Sequence, residues 1–210
     1  MRAAGTRMLA CVTLLATAVA CGQERPVAQA TVTPSAQDRA PTPNSSPQGS
    51  GEPRESDVEG SDPSWFEGEV RLADGRRVAM HYRRGEGLFE QHYNPRAGEW
   101  TNPRLIYGTK TDACQRIKLQ ARGGTVTVIA NFGRYCADGE PPTESIAAVG
   151  LGNLRRWDHH LTKNFDGWKR ASIADDGRKA TFVRTSTVVQ STLVWTATGG
   201  FSDPVFKNSG

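Results

Sequence analysis

The chain has 210 residues, 26 Lys and Arg against 22 Asp and Glu, and is 37% apolar and 23% charged. That near-balance, with Arg83-Arg84 and Arg155-Arg156 as isolated basic pairs, argues against a nucleic-acid partner. The length suffices for one domain with a real core.

Residues 1–20 read as an export signal rather than as part of a fold. Arg2 and Arg7 form a positive start, Met8 to Val19 is apolar, and Ala18-Val19-Ala20 is a small-residue cleavage site. The run is too short and wrongly flanked for a membrane-spanning helix.

Cys21-Gly22 follows that site. The junction resembles the lipobox of bacterial lipoproteins, with Ala18 where that family prefers Leu. The resemblance implies acylation of Cys21 and a membrane partner, placing the protein on the extracellular face of a bacterial cell membrane. Each buried CH₂ contributes about 0.8 kcal/mol, so two or three acyl chains hold a protein almost permanently. Ala-Val-Ala is also an ordinary signal-peptidase site, which would release a secreted protein.

Behind Cys21, residues 22–64 hold seven of the twelve prolines and none of the aromatic residues. Such a segment cannot bury enough apolar surface to offset the entropy of ordering it. It reads as a disordered tether, residues 21–64 with its anchor, whose ends lie about 35 to 40 Å apart as a flexible coil. Thr33, Thr42, Ser45 and Ser46, close to prolines, are candidate O-glycosylation positions, an unmodified spacer being the alternative.

From Trp65 onward one hairpin plan recurs three times. Residues 65–84, 113–132 and 167–186 each run an alternating segment into a glycine turn and leave it with a second apolar segment. The turn glycines are Gly75, Gly124 and Gly177, a period near 50 residues, in the range of propeller blades. Asp74-Gly75, Gly123-Gly124 and Asp176-Gly177 supply the positive backbone angles tight hairpins need. Period-two alternation such as Val78, Met80, Tyr82 marks half-buried strands.

A second hairpin follows each first one, through 94–98, 151–153 and 198–200, so each unit holds four antiparallel strands. In the first and third units an aromatic is followed shortly by Asn or Asp and then proline: Trp100 to Pro103 and Phe201 to Pro204. The expected fold is all-β, three propeller-type blades over residues 65–210. Folding about Gly124 brings Cys114 and Cys136 nearly opposite each other, and with Cys11 and Cys21 assigned to the leader and anchor they form a disulfide.

Residues 65–210 resemble the sialidase-like superfamily of β-propellers with Asp-box (BNR) repeats. The resemblance rests on the Gly-x-Trp and Gly-Phe turns, on Asp166-Gly167-Trp168 and Asp176-Gly177, and on blade-length spacing. Of the box itself, residues 150–157 keep the turn and Trp157, with Gly150, Gly152 and Leu154 at the Ser, Asp and Gly positions. Enzymes of that superfamily hold a carboxylate with three arginines and use a tyrosine paired with a glutamate plus an aspartate acid. Arg71, Arg104, Arg116 and Arg184, and Tyr82, Tyr93, Tyr107 and Tyr135, are available, and none maps onto the family site residue by residue.

A closed propeller needs about four to eight blades, and three leave two open faces. A homodimer, a protein partner at those faces, or an open stack with polar outer faces would resolve this.

Other chemistry is sparse. His81 and His92, on neighbouring strands of a hairpin centred near Glu86, could face each other, but no third metal ligand of fitting spacing accompanies them. In Asp158-His159-His160 the adjacent histidines point to opposite strand faces and make poor joint ligands. Neither a phosphate-binding glycine loop nor a calcium loop occurs, so no cofactor is implied. Trp100, Trp157 and Phe201, on turns, are candidates for stacking on a carbohydrate or cell-wall ligand, against a role in packing. The leading expectation is a lipid-anchored, non-catalytic binding head; the alternative is a sialidase-type hydrolase assembled as a dimer.

Overall fold

A computed structural model describes residues 52–57 and 66–208. The leader, Cys21, Trp65 and most of the tether lie outside the described residues. Fourteen β-strands and one 3-10 turn, Cys136–Asp138, make up the regular structure there. The first sheet contains β1 (Glu67–Arg71), β2 (Arg77–Arg83), β3 (Gly87–Asn94), β4 (Glu99–Trp100) and β5 (Arg104–Gly108). The middle sheet contains β6 (Asp112–Arg122), β7 (Thr125–Gly133), β8 (Glu144–Leu151) and β9 (Trp157–Lys163). The third contains β10 (Arg170–Ile173), β11 (Lys179–Thr185), β12 (Val189–Thr196), β13 (Gly200–Phe201) and β14 (Val205–Asn208). All pairings are antiparallel, so the described residues form an all-β fold of three blade-like sheets, with no closed barrel among them.

The aromatic-polar-proline segments explain why two sheets have five strands and one has four. β3 pairs with β4 at one end, Tyr93 opposite Trp100, and with β5 at the other, Leu88 opposite Tyr107. β12 pairs likewise with β13 and β14. Pro103 and Pro204 sit in the gaps, where a residue without an N–H cannot continue a ladder. Each pair is thus one interrupted fourth strand, while β9, which has no proline, is continuous.

Packing follows strand parity. Val126, Val128, Ala130 and Phe132 of β7, with Ile146 and Ala148 of β8, point to the first sheet and meet Val78, Met80, Tyr82 and Leu88. Ile129, Ala147 and Val149 point the other way, onto Trp168, Phe182, Leu193 and Trp195 of the third unit. Every one of the nine residues of β7 is buried. First strands make the closest approaches between sheets, β1 to β6 and β10 to β6 and β7.

The outer layers end differently. On the first sheet's outer face Ala79, His81, Phe89 and Gln91 are buried. Residues 52–57, assigned by composition to the tether, hydrogen-bond there: Arg54 N donates to Gln91 Oε1 at 2.9 Å, Ser56 Oγ accepts from Tyr82 N at 2.8 Å, and Asp57 Oδ1 accepts from Arg84 N at 2.6 Å. The third sheet instead turns half-buried Thr181, Val183, Thr192 and Val194 outward beside exposed Ser172 and Lys179.

The turn glycines have unequal tasks. Gly75, Gly124 and Gly177 all have positive φ, at 86°, 75° and 69°. A Cβ on Gly124 would meet nothing within 4 Å, whereas one on Gly177 would lie 2.5 Å from the Gly123 carbonyl oxygen. Thr125 Oγ1 also donates to Gly177 O at 2.7 Å, joining the second and third hairpins. Gly124→Ala should therefore cost about 1–2 kcal/mol of left-handed strain, and Gly177→Ala about 2–4 kcal/mol because the clash adds to it. Denaturant unfolding of the two variants checks this, and equal losses would contradict the backbone contact.

Candidate functional site

A cleft of about 830 Å³ opens where three connections meet. The β7–β8 connection contributes Arg134, Tyr135, Asp138 and Glu140, the β9–β10 connection contributes Asn164, Phe165 and Asp166, and Thr111 lies just before β6. Tyr135 is 59% exposed. Phe165 packs against Trp168 at 4.6 Å between ring centroids, and Arg184 lies 5.5 Å over its face while binding Asp166.

Two devices hold this rim. Cys136, at the start of the 3-10 turn, is disulfide-bonded to Cys114 of β6, with Cα atoms 5.1 Å apart and 22 residues of separation. Closing such a loop contributes roughly 3 kcal/mol by restricting the unfolded chain. Glu144, opening β8, accepts three hydroxyl donors on Oε2: Tyr107 at 3.0 Å, Thr109 at 2.9 Å and Thr111 at 3.1 Å. Burial, then the bond to Glu144, pushes the Tyr107 phenol up to about 12, so it stays protonated at neutral pH.

The three aromatic candidates are not brought together. Trp100 is buried at the end of the first sheet, against Tyr93 and beneath Arg77, whose guanidinium is 5.0 Å from the ring. Trp157, half-buried, packs against the core between the first two sheets. Phe201 packs on Phe182 and His160 against the third unit's core. None of the three lines the large cleft, where Tyr135 and Phe165 stand instead. Tyr135, one of the four tyrosines available in the sequence, is marked out there by its position in the irregular connection between a cysteine-tied strand and β8.

His81 and His92 do not face each other. The β2–β3 pairing is centred on Gly85, with His81 opposite Phe89 and His92 opposite Val78, and this places the two rings on opposite faces of the sheet. Among the described residues no group of three or more metal-ligating side chains occurs. His159 and His160 do diverge as strand geometry requires, His159 towards Tyr107 of the first sheet and His160 towards Phe201 of the third. Asp158, on the same face as His160, accepts from Trp195 Nε1 at 2.9 Å. Of the arginines, Arg104 is engaged by Glu90 and Arg184 by Asp166, in different sheets.

Comparison of the chain with protein-family models, with curated proteins and with solved structures finds no match. The sialidase-like resemblance accordingly rests on the turn residues and blade spacing alone.

His81 has an electrostatic consequence for the head. It is 1% exposed and stacked on Phe89, and neither ring nitrogen has a hydrogen-bond partner among the described residues. Burial first, then the charges of Arg83 and Arg54, partly offset by Asp57, lower it from 6.5 to about 4. The folded protein thus favours the neutral ring, and the unfolded chain binds the proton more readily between those values. This contribution is fully present above about pH 6.5 and is lost as pH falls towards 4. His81→Leu should flatten the fall of melting temperature across that window; an unchanged slope would contradict the assignment.

Proposed function

We propose that this is an exported protein, lipid-anchored through Cys21, whose β-sheet head binds a cell-wall or other carbohydrate ligand at the outer surface without transforming it. The observation that carries this reading is the large cleft. It sets an exposed planar ring, Tyr135, and a second ring, Phe165, among charged and amide groups, Arg134, Asp138, Asn164 and Asp166, on a rim held by a disulfide. Sugars present apolar faces and rims of hydroxyls, so a ring flanked by hydrogen-bonding groups is complementary to them. The phenols of Tyr82 and Tyr107 are held neutral, each at about 12 mainly by burial, which favours binding over nucleophilic chemistry at either. The export signal, Cys21 and the proline-rich tether support a position held off a membrane.

Co-sedimentation of the purified full chain with cell-wall polysaccharide tests the head. Tyr135→Ala is expected to weaken retention at least tenfold while leaving the melting temperature within a degree or two, since the ring is exposed. Equal retention of both proteins, or release of sugar from the polysaccharide, would overturn the reading. Cys21→Ser tests the anchor separately, and is expected to move the protein from the membrane fraction to the medium.

A further inference from the structure

A second concavity lies at the other end of β8. It is about 360 Å³ in volume, between the β1–β2 turn, the β3–β4 turn and the β8–β9 turn. Its frame is fixed from behind: Arg104 donates to the carbonyls of Leu154 and Arg155, and Arg76 to that of Gly152, so two arginines of the first sheet clamp a turn of the middle one. Arg104 is itself anchored on Glu90, 3.0 Å away and 1% exposed. The other carboxylate oxygen of Glu90 accepts from His92 Nδ1 at 2.7 Å. A carboxylate can only accept there, so Nδ1 carries a proton, and Nε2 donates to an oxyanion when the ring is the doubly protonated imidazolium.

Charge in this concavity is unbalanced. Its one carboxylate, Asp74, is taken up by Arg76 at 2.6 Å, which holds the acid below its ordinary range. Arg96 and Arg155 also line it, and their guanidinium groups make no hydrogen bond or ion pair among the described residues. Asn94 Oδ1 and Asn153 Oδ1 accept the backbone N–H of Arg96 and Arg155, each at 3.0 Å, fixing where both side chains start.

We propose that His92, Arg96 and Arg155 form a binding site for a compact tetrahedral oxyanion, a phosphate or sulfate group. Guanidinium forks match such oxygens two at a time, and the His92 imidazolium, oriented by Glu90, donates a third hydrogen bond from Nε2–H. The volume admits one such group with part of its carrier. This site is separate from the large cleft and does not rest on the reading of it.

Calorimetric titration of the full chain with sodium sulfate and with sodium phosphate, against sodium chloride at equal ionic strength, tests the proposal. Sulfate or phosphate is expected to bind saturably where chloride does not. Arg96→Gln with Arg155→Gln should weaken that binding at least tenfold with an unchanged melting temperature in the absence of anion. Asp74→Asn should act oppositely and tighten it severalfold, by releasing Arg76 and removing a like charge. Dextran sulfate against uncharged dextran separates sources: retention of the sulfated polymer assigns the site to a polymer-borne ester, and binding of the inorganic ion alone assigns it to a free anion. Binding no better than chloride, or equal in wild type and the double arginine variant, would overturn the proposal.

Discussion

Burial of the middle sheet on both faces is the constraint on which the rest depends. A strand flanked by solvent on one side can alternate apolar with polar residues, but β7 cannot, and all nine of its residues are buried. Its even positions, Val126 to Phe132, are apolar throughout. Its odd positions include Thr125, Thr127 and Asn131, so the face towards the third sheet carries polar groups. Several are satisfied. Asn131 Oδ1 accepts from Ser145 Oγ at 2.6 Å, Asn131 Nδ2 donates to Gln115 at 3.0 Å, and Ser145 Oγ accepts from Trp168 N at 3.0 Å. A chain of this kind admits one register, since a slip of one residue would leave each member unpaired in a low-dielectric interior.

That constraint also positions the two concavities. A central sheet packed on both sides leaves its connections at the two ends of the strands as the places where side chains of neighbouring sheets converge around solvent. At one end the long β7–β8 connection, tied by its disulfide, makes the large cleft with the β9–β10 connection. At the other the short β8–β9 turn is clamped by Arg76 and Arg104 and leaves Arg96 and Arg155 beside His92. The outer sheets need no further layer for the same reason that the middle one needs two. The third sheet presents threonines outward, and the first is lined by residues 52–57.

Much of this architecture was legible in the residues. Glycine turns at 75, 124 and 177 located all three first hairpins, and the segments ending in Pro103 and Pro204 marked where the fourth strands break. Cys114 and Cys136 could be paired because one hairpin centre lies between them. What failed to read were quantities that depend on a shift of a single residue or on neighbours far along the chain. His81 and His92 would pair only if the β2–β3 turn were centred between Glu86 and Gly87; the register centres it on Gly85, and that small shift puts the two rings on opposite faces. Trp100, Trp157 and Phe201 looked like turn aromatics because turns carry binding residues, yet each fills a space between strands that only the stacked sheets create. Tyr135 was readable only as one available tyrosine, and the Glu90–His92 pair not as a site, because Phe165 and Asp166, which complete the cleft around the first, and Arg104 and Arg155, which frame the second, come from other strands and connections.

Hydrogen exchange resolved by residue tests the central claim most directly. If the middle sheet is the shared core, amides of β7 and β8 from Val126 to Phe132 and from Ile146 to Val149 should exchange only through global unfolding, while those of β13 and β14 at the edge of the third sheet open several kcal/mol more easily. The opposite ordering, with β7 exchanging as fast as β14, would show that the outer sheets hold together without the middle one and would contradict the account.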